Sequence, residues 1–94
     1  MENVFSTGPV YGESWSVVAS RKFNQEELNA VTSNSVVDSQ YGMSVCFHLR
    51  KGGMMYIPMS NRGTQPNAGD SIDMANANLV TLERQGETIT RVEL

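Results

Sequence analysis

The stretch 41-YGMSVCFHLRKGGMMYIPMS-60 holds two apolar runs, each carrying an aromatic, on either side of Lys51-Gly52-Gly53. How those runs pair decides the fold. Side chains of a strand alternate between its faces. In the first run Met43, Val45, Phe47 and Leu49 share one face, and Ser44, Cys46, His48 and Arg50 share the other. In the second, Met55, Ile57 and Met59 lie opposite Met54, Tyr56, Pro58 and Ser60. A two-residue Gly-Gly turn pairs Leu49 with Tyr56 and His48 with Ile57, which mixes polar and apolar groups on both faces. A three-residue Lys51-Gly52-Gly53 loop pairs Leu49 with Met55, Phe47 with Ile57 and Val45 with Met59. A one-residue slip flips every side chain, so the register with the cleaner face is expected. Three-residue loops with a left-handed glycine are also common hairpin closures.

In that register one face is continuously apolar and belongs to a core. The other sets His48 beside Tyr56 and Arg50 beside Met54, with Lys51 in the loop. Bases stack on tyrosine at about 1–3 kcal/mol each, while Arg and Lys follow phosphates. Tyr41, set off by Gly42, and Arg62 in the following loop extend the track, and Arg21-Lys22 on an earlier strand join it. The same residues admit a plainer account. An exposed Tyr–His pair is ordinary cross-strand stabilisation, contributing a few tenths to about 1 kcal/mol.

Working outward, residues 1–13 contain Gly8, Pro9 and Gly12 with little periodicity and are expected to form a flexible arm. Residues 14–94 are expected to form a single domain. In 14-SWSVVASRKF-23, Trp15, Val17, Ala19 and Phe23 alternate with polar residues, which predicts a strand with one wet face. Asn24 is a helix N-cap, with Glu26 and Glu27 at the positive end and Leu28 and Val31 as a short apolar stripe. Segment 33-SNSVVDSQ-40 predicts a further strand. The run 61-NRGTQPNAGD-70 is turn-rich, and 71-SIDMANAN-78 is a short strand with a link or a single helical turn. The ending, 79-LVTLER-84, Gln85-Gly86 and 88-TITRVEL-94, reads as a second hairpin.

The chain has 94 residues, a net charge of −3 and one cysteine, Cys46. A chain of this size buries only roughly 60–65% of its unfolded surface, so a thin core and a homo-oligomer are both expected. An acidic balance weighs against strong non-specific duplex binding, which depends on phosphate neutralisation. One cysteine allows no intrachain disulfide and fits a reducing, cytoplasmic compartment. The segment MENVFSTGPVYGESW lacks the pattern of a signal peptide, and no apolar run approaches the roughly 20 residues that cross a bilayer. No Asp/Glu/His/Cys cluster at metal spacing accompanies His48, and no acid, base or nucleophile is positioned. Catalytic residues, a metal and a cofactor are therefore not expected.

Short strands spaced by turns, with one small helix, predict a mainly β fold: a small antiparallel barrel of five to six strands. The Trp15 strand, the hairpin 45-VCFHLRKGGMMYIP-58, the Gly69-Asp70 entry to a later strand, and the closing LVTLER and ITRVEL pair resemble an OB-fold. More loosely they resemble the small single-stranded-DNA-binding proteins of phages and mobile elements. The helix at 24–31 sits earlier than the one such folds carry between their third and fourth strands. The resemblance implies binding on the outer face of the central strands. Two functions follow as expectations: a non-catalytic module for single-stranded DNA or RNA, or a structural module that oligomerises or docks on a larger assembly.

Overall fold

A computed structural model of the chain describes residues 14–40, 42–60 and 64–94. Tyr41, Arg62 and the expected arm 1–13 lie outside the described residues. The fold is mainly β. In chain order it runs β1 (Ser16–Lys22), α1 (Gln25–Ala30), β2 (Val31–Ser39), β3 (Gly42–Leu49), β4 (Met54–Pro58), a 3-10 turn (Met74–Asn76), β5 (Asn78–Arg84) and β6 (Glu87–Glu93). The strands form two three-stranded sheets, β2-β3-β4 and β1-β5-β6, with every ladder antiparallel. Among the described residues the sheets meet at one parallel bridge, Met59 to Val92, beside a Ser60 N–H to Val92 O bond of 2.8 Å. They are not closed into a barrel among the described residues.

Asn24 caps α1 as its chemistry dictates. Its Oδ1 accepts from the Glu27 N–H at 2.8 Å, and Glu27 Oε1 accepts from the Asn24 N–H at 2.9 Å. This reciprocal box satisfies two backbone donors that a helix start otherwise leaves open. A helix of six residues has little stability of its own. It is held by Leu28, which packs on the core, and by contacts at its far end.

The hairpin register differs from the expected one. Phe47 pairs with Met55, Val45 with Ile57, Cys46 with Tyr56 and His48 with Met54, so every partner lies two residues earlier on β4. The loop still has three residues, but they are Arg50-Lys51-Gly52, closed by Leu49 N–H to Gly53 O at 3.0 Å. Gly52 N–H donates to Leu49 O at 2.9 Å and Gly52 has φ +107°, a turn followed by a left-handed residue. The cause is α1. Arg50 N–H donates to Ala30 O at 2.8 Å and Arg50 Nε to Asn29 O at 2.9 Å, so Arg50 caps the helix's last carbonyls and leaves the ladder. A shift of two preserves parity, which is why the apolar and polar faces survive it.

The free edge of β2 is covered by the turn-rich segment. Val36 N–H donates to Asp70 O at 2.7 Å and Gly69 N–H to Val36 O at 2.8 Å. The Asn34 amide extends this pairing, accepting from Ile72 N–H at 2.8 Å and donating to Ile72 O at 3.3 Å. Ile72 is buried. Asn34→Ala leaves that buried peptide without its partner, and a stability loss of about 1–3 kcal/mol is expected. Urea unfolding with an unchanged m-value checks it; a loss below about 0.5 kcal/mol contradicts the clamp.

The main core joins Phe23, Val36, Val45, Phe47, Met59 and Val92 with Ile72, Met74 and Ala77. Val80, Leu82 and Ile89, covered in part by Trp15, form a second cluster. Arg84 stacks over the Trp15 ring, 4.3 Å from its centroid. The expectation of one dry face on the first strand is corrected: all of β1 is exposed, including Val17 and Val18. A register shift between Val17 and Ala19 breaks the alternation, and β1 pairs only with β5 among the described strands.

Candidate functional site

The outer face of β2-β3-β4 carries Ser33, Ser35 and Val37 from β2, Ser44, Cys46 and His48 from β3, and Met54, Tyr56 and Pro58 from β4. Small residues dominate its centre, so the larger side chains stand above them. Tyr56 is 47% exposed and Met54 53%, and His48 is exposed as well. Cys46, beneath them, is buried. Tyr56 and His48 therefore share the face as sequence alternation implies, but they sit diagonally rather than opposite each other.

Sulfur contacts tie this group together. The Cys46 thiol donates to Met54 Sδ at 3.6 Å, and the Tyr56 hydroxyl donates to the same sulfur at 3.7 Å. His48 Nε2 lies 3.9 Å from Cys46 Sγ. Hydrogen bonding with Cys46 raises the Tyr56 phenol above its usual range. The side chain is thus held by its hydroxyl end and remains about half exposed.

The cations divide into two groups. Lys51 is exposed in the hairpin loop, next to Arg50, whose Nε is committed to Asn29 O. Arg21 and Lys22 belong to the other sheet. Arg21 forms a two-bond pair with Glu27, at 2.7 and 3.0 Å, and Lys22 Nζ donates to Asn76 O at 2.9 Å. The expected alignment of Arg50 beside Met54 is corrected, because His48 takes that position. An open groove of about 260 Å³ runs between α1 and the hairpin tip, walled by Phe23, Val31, Leu49 and Met55 with Lys51 and Glu27 in its lining. Met55 was expected in the core face; at the tip it is 40% exposed.

The Arg21 guanidinium, aided by the Asn24 N–H, lowers the Glu27 carboxyl from an ordinary 4.5 to about 2. A depressed carboxylate stabilises the fold fully above its unfolded value and loses that contribution as pH falls through the folded one. For Glu27 the window runs from about pH 4.5 down to about 2. Because the pair is exposed to solvent, its effect on global stability is small. A side-chain NMR titration should place the Glu27 midpoint near 2, and Arg21→Gln should raise it towards 4.5; a midpoint that ignores Arg21→Gln contradicts the pairing.

No protein-family model, curated protein or solved structure matches this chain. Among the described residues no group of three or more His, Cys, Asp or Glu is arranged to hold a metal ion. None of the described helices is long and apolar enough to cross a membrane.

Proposed function

We propose that the chain is a non-catalytic module that binds single-stranded nucleic acid on the outer face of β2-β3-β4. The observation that carries this reading is the exposed Tyr56–His48–Met54 face with Lys51 at the adjoining hairpin tip. Tyr56 and His48 offer stacking surfaces, and Lys51, exposed in the hairpin loop, offers a charge for a phosphate. Tyr41 and Arg62 belong to the same proposal as flanking contacts. Arg50, Arg21 and Lys22 enter it only as weaker contacts, since each already has a protein partner.

The strand arrangement supports an OB-like reading of the fold. If β1 and β2 are counted as two halves of one strand interrupted by α1, five strands remain. β3 and β4 then become the second and third, the pair whose face carries oligonucleotides in OB-folds. The 3-10 turn at Met74–Asn76 then falls between the third and fourth strands, where such folds place their helix. The α1 insertion is the departure. The test is anisotropy of a labelled oligo-dT at two salt concentrations. Binding whose log-log salt slope is about −0.7 per phosphate contacted supports the reading. No binding at micromolar protein, or binding indifferent to salt, overturns it.

A second reading has its own observation. β1 is an edge strand exposed on both faces, with Val17 at 46% and Val18 at 53%. Exposed edges of this kind pair with other chains, which supports a module that oligomerises or docks on an assembly. Light scattering of Val18→Lys against the parent chain separates this from nucleic-acid binding.

A further inference from the structure

The outer face of the β3–β4 hairpin gathers three soft donors that stacking does not require. Cys46 and His48 are alternate residues of β3, and Met54 is the cross-strand partner of His48. Cys46 Sγ lies 3.6 Å from Met54 Sδ and 3.9 Å from His48 Nε2. As hydrogen bonds these contacts are weak, because thiols and thioethers are poor donors and acceptors. As a ligand set the spacing has another meaning. Metal–sulfur bonds of about 2.3 Å and metal–nitrogen bonds of about 2.0 Å in a trigonal plane put the sulfurs about 4.0 Å apart and sulfur and nitrogen about 3.7 Å apart. Both distances from Cys46 Sγ lie within about 0.4 Å of those separations, and the Met54–His48 pairing across the ladder puts the other two donors side by side.

We propose that Cys46, His48 and Met54 form a three-coordinate site for Cu(I). Thiolate and thioether together select a soft monovalent ion over hard cations, and imidazole is a compatible third ligand. A fully protein-held zinc site wants four donors, and the described residues provide no third His, Cys, Asp or Glu here. Burial suits the assignment too. Cys46 is sheltered under the sheet surface, while His48 and Met54 are exposed, so an ion reaches the thiolate past two ligands that close over it. Tyr56, whose hydroxyl touches Met54 Sδ, stands beside the metal and holds the thioether in place. Binding forms the Cu–Sγ bond and releases the thiol proton to solvent, with no change in copper oxidation state. Affinity therefore rises with pH. The site shares His48 and Met54 with the proposed stacking face but does not depend on nucleic-acid binding.

The test uses the reduced full chain under anaerobic conditions, with no nucleic acid, in competition with a chromophoric Cu(I) chelator. One equivalent is expected per chain. Cys46→Ser should abolish it. Met54→Leu and His48→Gln should each weaken it by at least about tenfold, since even outer-shell partners of a metal contribute 10- to 100-fold. Met55→Leu, on the opposite face of the same strand, should leave it unchanged. Ag(I), a redox-inert stand-in, should shift the Met54 methyl and His48 ring signals together in NMR. Absence of a one-to-one complex, or binding that both Met54→Leu and His48→Gln leave intact, overturns the site.

Discussion

Phe47→Ala is expected to destabilise the chain by about 3–5 kcal/mol, the cost of removing a large aromatic from a closed core. Phe47 is fully buried at the centre of β3, and its ring centroid lies 5.7 Å from that of Phe23 at an interplanar angle of 57°. It is thus in contact with the segment that links β1 to α1 as well as with its own sheet. Domains of this size have total stabilities of about 5–15 kcal/mol, so the loss is a large fraction. At about 4–8 °C per kcal/mol, Tm should fall by at least about 12 °C. Thermal unfolding followed by circular dichroism measures it. Met55→Ala provides the contrast. Met55 pairs with Phe47 and points to the same face, yet at the hairpin tip it is 40% exposed. Its truncation should cost about 1 kcal/mol or less, the scale of an incompletely buried site. Equal losses from the two variants would mean that Met55 is as closed off as Phe47 and that the hairpin tip packs as core.

That contrast also marks how far the sequence could be read. Alternation placed Val45, Phe47 and Ile57 on one face and Cys46, His48 and Tyr56 on the other, because face depends only on parity. The partner of each residue depends on where the loop closes. Both Lys51-Gly52-Gly53 and Arg50-Lys51-Gly52 are acceptable three-residue loops, and the choice is made by Arg50 bonding to Asn29 and Ala30. Those carbonyls are some twenty residues away in the chain, so no local pattern records them. Local signals fared well elsewhere. The Asn24 N-cap and the Gln85-Gly86 turn, with φ of 50° and 85°, both act over a few residues, whereas the return bond from the Asn24 N–H to Glu27 emerges only in the structure. β1 misled for the opposite reason. Its apolar alternation is genuine, but a bulge and an edge position leave Val17 and Val18 in solvent. The charge reading suffered likewise: Arg21 is a cation in sequence, yet Glu27 on the next element already holds it.

Tyr56→Ala should weaken binding of an oligo-dT by about 5- to 150-fold, the equivalent of about 1–3 kcal/mol for one stacked base. Tyr56 is 47% exposed on β4, so its removal should leave the fold intact, which near-unchanged thermal unfolding would verify. Tyr56→Phe keeps the ring and loses only the hydroxyl contact to Met54 Sδ, so it should bind nearly as well as the parent chain. Charge variants separate stacking from backbone tracking. Tyr56→Ala removes no charge and should leave the salt slope unchanged, whereas Lys51→Gln should reduce its magnitude by about 0.7, the value of one single-strand phosphate contact. Arg21→Gln should change the slope little, because that guanidinium already pairs with Glu27 through two bonds. If Arg21→Gln reduces the slope as much as Lys51→Gln, the strand passes over α1 instead of the β3–β4 face. If Tyr56→Ala leaves affinity untouched, the face does not stack bases, and the exposed tyrosine serves the sheet alone.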